Sequence, residues 1–163
     1  VEQWIKDLPH ARVAYPTAKR DQLKYWFWRF YAPLHPLVRS TSNRLGFGKL
    51  LMQYVAPEVR YDGRQDYLIG TLRSDRSVRD LVDYLVCQGY GNHFIAWRDT
   101  GELVSLRRAD GFEHQYHLRI FKDGEIRGHY ELTPEYRSVR HLVRTGFEDR
   151  TPELKTLLSG WLA

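Results

Sequence analysis

The stretch YHLRIFKDGEIRGHYE, residues 116 to 131, limits what this chain can fold into more than any other part of it. Apolar and polar residues alternate on both sides of Lys122, Asp123 and Gly124, the pattern of two antiparallel strands joined by a type I turn that a left-handed glycine closes. Because side chains alternate with period two, slipping the pairing by one residue exchanges the two faces. A three-residue loop sets Ile120 against Ile126, Leu118 against Gly128 and Tyr116 against Tyr130, an apolar face. The other face then carries Gln115, His117, Arg119, Arg127, His129 and Glu131, with His117 opposite His129 and Arg119 opposite Arg127. A two-residue loop would mix both faces, so the first register is predicted.

The same reading extends outward. HFIAWRDTGELVSLRR is a second hairpin turning at Asp99, Thr100 and Gly101, and YLIGTLR from Tyr67 is a further strand. SVRDLVDYLVCQG is an amphipathic helix with Ser77 as its cap, Val78, Leu81, Val82 and Leu85 facing inward, and Gly89 as its stop. TPEY at Thr133 and TPEL at Thr151 each place a capping threonine, a proline at the first helical position and an acid in the first turn. Toward the N-terminus, TAKRDQLKYWFWRFYAP predicts a helix with Leu23, Trp26, Phe27, Phe30 and Tyr31 on its core face, ended by Pro33 and Pro36. HPLVRSTS follows as a connector, and a second helix runs from about Asn43 through RLGFGKLLMQYV. The predicted fold is α+β: an antiparallel sheet of four or five strands, with two β-hairpins, helices on one face, and a helical, basic N-terminal part. A single domain over 1–163 is expected, divided into a helical basic and aromatic part (1–57) and a sheet part (66–163).

Charge is distributed unevenly. Residues 1–50 hold nine Lys or Arg against three acids, while the remainder is close to neutral, and arginine outnumbers lysine 19 to 6. Arginine holds planar anions through two hydrogen bonds, which favours a phosphate-bearing partner. KYWFWRF adds aromatic faces between basic residues, the combination that stacks unpaired bases while neutralising phosphates. With the core face of that helix assigned inward, Lys24, Trp28 and Arg29 are the residues left for nucleic acid. The longest apolar run, YWFWRFYAPL, is too short and too interrupted to span a bilayer, so no membrane role is expected. One cysteine, Cys87, excludes an internal disulfide and a thiolate zinc site; it reads as a small buried hydrophobe, and the location expected is cytoplasmic. RLGFGKL lacks the rest of a nucleotide fingerprint, and neither GxSxG nor HExxH occurs.

Three readings compete for the polar hairpin face. The plainest is a solvated outer sheet face whose ion pairs contribute little. In the second, His117 and His129, assisted by Glu131, act as general base and acid on a phosphodiester, since an imidazole titrates near neutrality. Arg119, Arg127 and Arg107 then hold the phosphate and stabilise the charge that develops on it. The third is a two-histidine, one-carboxylate metal site built from His117, His129 and Glu131. The neighbouring arginines argue against a cation there, so no metal and no other cofactor is expected. His114 could reach the same site, His93 is expected opposite Arg107, His141 is expected to cap a helix C-terminus, and His35 is expected in a loop. The leading expectation is a nucleic-acid-interacting protein, extended to metal-independent phosphodiester cleavage. The alternatives are a non-catalytic module that binds nucleic acid or another acidic partner, and a small-molecule or metal enzyme.

Overall fold

The computed structural model describes residues 3–46, 67–92, 101–137 and 147–163. In chain order these form α1 (Gln3–Lys6), α2 (Lys19–Arg44), β1 (Tyr67–Thr71), α3 (Val78–Cys87), β2 (Gly91–Asn92), β3 (Glu102–Asp110), β4 (His114–Phe121), β5 (Glu125–Leu132), a helical segment α4 at 134–137 and α5 (Thr151–Leu157). All strand pairings are antiparallel, in the order β1-β5-β4-β3-β2. The fold is therefore α+β on a five-stranded sheet.

The hairpin adopts the predicted register: His117 pairs with His129, Arg119 with Arg127 and Leu118 with Gly128. Gly124 sits at φ 86°, in the left-handed region where a Cβ is disfavoured, and so closes the turn. β3 joins β4 and β5 in one meander, with Arg107 beside His117. Arg107 pairs with Gly91 across the β2–β3 edge, which corrects the expected His93–Arg107 pair. His93, the expected turn residues Asp99 and Thr100, the strand expected before them, and His141 all lie outside the described residues.

One sheet face is apolar and packs under helices. Val104, Leu106, Leu118, Ile120 and Ile126 meet Leu81, Val82 and Leu85 of α3, Leu154 and Leu158 at α5, and Ile5 of α1. α3 follows its sequence signals: the Ser77 side chain accepts from the Asp80 backbone N–H, and Gly89 is left-handed. Cys87 is exposed. It lies about 200° around the helix from Leu85, so the face that buries Leu85 turns the thiol outward. Thr133 caps α4 as predicted, its hydroxyl oxygen accepting from the Tyr136 N–H. Thr151 does not cap α5; it is the first helical residue, and its own N–H is taken by the Asp149 carboxylate at 2.8 Å.

α2 departs most from expectation. It continues through Pro33 and Pro36 to Arg44, so the predicted connector is helical, and His35 lies in it with its ring nitrogen 3.2 Å from the Tyr31 hydroxyl. Each proline removes one hydrogen bond and crowds a carbonyl, but the residue before a proline is only biased against the helix, and turns on both sides keep it propagating. The expected core face is also largely uncovered: Leu23, Phe27 and Phe30 are 75%, 60% and 69% exposed, so most of the stripe assigned to the core faces water. The part of the second expected helix beyond Gly46 lies outside the described residues, as does the expected boundary near 56–66. Among the described residues no helix is long and apolar enough to cross a membrane.

Candidate functional site

The polar face of the sheet is as deeply buried as the apolar one. His117 and His129 are 5% and 1% exposed, and Arg107, Arg119, Gln115 and Glu131 are buried with them. Both imidazoles project from the same side of adjacent strands, as the register requires, but into the protein rather than into water. The reason lies in the pairing of the charges. Arg119 donates to the Glu102 carboxylate with neither side chain exposed. Arg107 makes a two-nitrogen contact to Glu135, at 2.9 and 2.7 Å. A guanidinium that finds a carboxylate and further hydrogen bonds tolerates burial that an unpaired one would not.

Glu102 reaches this face through an irregularity. The register shifts between Glu102 and Val104, so Glu102 aligns with Phe121, on the side of Arg119, instead of following the strict alternation of β3. Glu135 comes from α4, which Thr133 starts immediately after β5.

From these anchors a chain of contacts runs to the centre. Arg107 also donates to Gln115 Oε1 at 3.0 Å, and Gln115 Nε2 donates to Glu131 Oε1 at 2.7 Å. Glu131 offers Oε1 to His117 Nδ1 at 3.6 Å and Oε2 to His129 Nε2 at 3.4 Å. The two rings approach at 3.3 Å, His117 Nδ1 to His129 Nε2, and stand edge to face. The far nitrogen of His117, Nε2, lies 2.6 Å from Ser105 Oγ, and Phe147 packs on the His129 ring at 4.5 Å between centroids. One ligating atom from each of His117, His129 and Glu131 falls within 4.8 Å of the others.

Other predicted residues lie elsewhere. Arg127 is bound to Glu125 near the turn, part-exposed, with its guanidinium over the Phe121 ring. His114 is on the opposite, apolar face, stacked against Tyr130 with centroids 5.1 Å apart. Tyr130 donates its hydroxyl to Asp110 at 2.8 Å, and burial first, then this bond, pushes that phenol above its ordinary range.

A second feature opens beside the buried layer. A cleft of about 920 Å³ runs between the segment from Pro9 to Tyr15 and α2, lined by Tyr15, Tyr25, Trp26 and Trp28 together with His10, Arg12 and Arg29, and it reaches the buried pair Arg107 and Glu135. One wall is fixed by backbone bonds, Asn92 N–H to Pro9 O at 2.7 Å and Ala11 N–H to Asn92 O at 3.3 Å. Gly91 permits this approach, since a Cβ there would lie 2.6 Å from Pro9 O. Of the three residues left for nucleic acid by the sequence, Trp28 and Arg29 line this cleft. Lys24 does not line it: its ammonium is 2.6 Å from Asp21 and over the Tyr136 ring.

Ser105, Glu102 and Glu135 are site residues that the sequence reading did not assign. Ser105 shares alternation with Arg107 and could have been found that way; the bulge and the long-range contact of Glu135 leave no comparable trace. Likewise His10, Arg12 and Tyr15 form a short basic and aromatic run, PHARVAYP, which charge alone could have flagged. Comparison with protein-family models, with curated proteins and with solved structures finds no match, and the geometry alone carries the functional argument.

Proposed function

We propose that the protein binds unpaired nucleic acid in the cleft between the N-terminal segment and α2. The observation that carries this reading is the cleft lining: four aromatic side chains beside His10, Arg12 and Arg29. Aromatic faces accept any base by stacking, and guanidiniums neutralise the backbone that follows. Arg12 and Arg29 are exposed, and among the described residues no carboxylate pairs with either. The basic excess of the first 50 residues adds a field that attracts a polyanion. A cytoplasmic location goes with this proposal.

Binding, rather than cleavage, is the form the geometry favours. Acid–base catalysis by His117 and His129 needs both rings within reach of a phosphate, yet they are 5% and 1% exposed. The arginines expected to hold that phosphate are engaged with Glu102, Glu125 and Glu135.

Fluorescence anisotropy with a labelled single-stranded oligonucleotide tests the reading. Affinity should fall steeply between about 50 and 200 mM salt, because counterions are released as phosphates are neutralised. Arg12→Ala combined with Arg29→Ala should weaken binding about 10-fold or more, and Trp28→Ala should do so with a shallower effect on the salt slope. Absence of binding at low salt, or an unchanged affinity in the double arginine variant, would overturn it.

A further inference from the structure

The buried layer has a chemistry that nucleic-acid binding does not use. We propose that His117, His129 and Glu131 hold one divalent first-row transition-metal ion, with Nδ1 of His117, Nε2 of His129 and the Glu131 carboxylate as ligands. This site is separate from the cleft, and the spacing, orientation and electrical surroundings of the three side chains suit a metal ion.

Ligands about 2.0–2.1 Å from one ion sit about 2.8–3.0 Å apart at neighbouring octahedral positions and about 3.3–3.4 Å apart at tetrahedral ones. The two imidazole nitrogens are 3.3 Å apart, and the carboxylate approaches them at 3.4 and 3.6 Å. It presents a different oxygen to each ring, so a small swivel, or chelation through both oxygens, completes the set. Paired strands bring these ligands together by register: His129 and Glu131 are two apart on β5, and His117 stands opposite His129 on β4.

Orientation points the same way. A metal-bound histidine usually has its other nitrogen fixed by an outer partner, which sets the tautomer. His117 Nε2 is held by Ser105 Oγ at 2.6 Å, which turns Nδ1 toward His129 and Glu131. Glu131 is in turn held by Gln115, Gln115 by Arg107, and Arg107 by Glu135. Such a succession immobilises the carboxylate.

The neighbouring arginines do not repel a cation as unpaired guanidiniums would. Arg119 and Arg107 are each joined to a buried carboxylate of their own, so neither presents an isolated positive charge to an incoming cation. Two imidazoles with one carboxylate select ions such as Zn²⁺, Fe²⁺ or Co²⁺, whereas Mg²⁺ and Ca²⁺ prefer oxygen throughout. The single thiol, Cys87, is on the exposed side of α3 and takes no part.

The test uses the whole chain, stripped with chelator and titrated with Co²⁺ alone. Expected are one Co²⁺ per chain, visible absorption bands, paramagnetically shifted signals from two imidazoles, displacement by Zn²⁺ and no competition from Mg²⁺. Glu131→Gln, which preserves shape, and His129→Ala should each lower affinity at least about 10-fold to 100-fold. His114→Ala should change nothing. Failure of the wild-type chain to take up stoichiometric Co²⁺ or Zn²⁺ at micromolar concentration would overturn the proposal without recourse to any variant. So would unchanged affinity in folded Glu131→Gln, which would show that the carboxylate is not a ligand.

Discussion

The polar face of the sheet and the outer stripe of α2 are opposites in both chemistry and position. On the sheet Arg107, Arg119, Glu102 and Glu131, with Glu135 of α4, lie inside the protein, while on α2 Leu23, Phe27, Phe30, Leu34 and Leu37 lie in water. The α2 residues recur at spacings of four and three, which gives one continuous stripe. The contrast teaches that a hydrophobicity pattern identifies a face and its period, but not whether that face will be covered. Charges can be covered when each finds a partner. Apolar residues stay exposed when no described element packs over them.

The largest effect is expected at the Arg119–Glu102 pair. Glu102→Ala leaves a guanidinium buried without its carboxylate and should destabilise the fold by about 3–5 kcal/mol, measured by urea denaturation. Replacing both partners, Glu102→Leu with Arg119→Met, sharpens the point, because a packed apolar pair is often no less stable than a buried ionic one. That double variant should recover most of the loss. If it does not, the layer matters for more than pairing.

A smaller effect is expected at the edge of the histidine pair. Ser105→Ala removes the hydroxyl at His117 Nε2 and should cost about 1–3 kcal/mol, the usual penalty for a buried polar group deprived of a partner. Thermal denaturation with and without Zn²⁺ would separate a purely structural loss from one that also weakens the ion. The smallest change belongs to α2: Phe30→Gln, at 69% exposure, should alter stability by no more than about 0.5 kcal/mol in the same denaturation assay. A loss comparable to that of Glu102→Ala would mean that the stripe is covered in solution.

Much of the sheet was legible because strand periodicity is strict. The alternation in residues 116 to 131 admits one clean register, and the structure has it. Ser77, Thr133, Gly89 and Gly124 act as local chemistry requires, since caps and left-handed turns depend on a few neighbouring backbone groups. Local signals misled where two of them conflicted. Pro33 and Pro36 spoke for a helix end and lost to the turns around them, and Thr151 yielded to Asp149 as the partner of the first free N–H.

By itself, then, the order of residues determined the hairpin, its pairing and the fact that two imidazoles share a side, because these follow from a two-residue period and one glycine. Tertiary structure decided which side faces inward. That choice required partners distant in the chain: a bulge to bring Glu102 to Arg119, α4 to bring Glu135 to Arg107, and Phe147 to lie against His129. Burial of charge is a property of assembled pairs, and the energy that permits it exists only once both members have met.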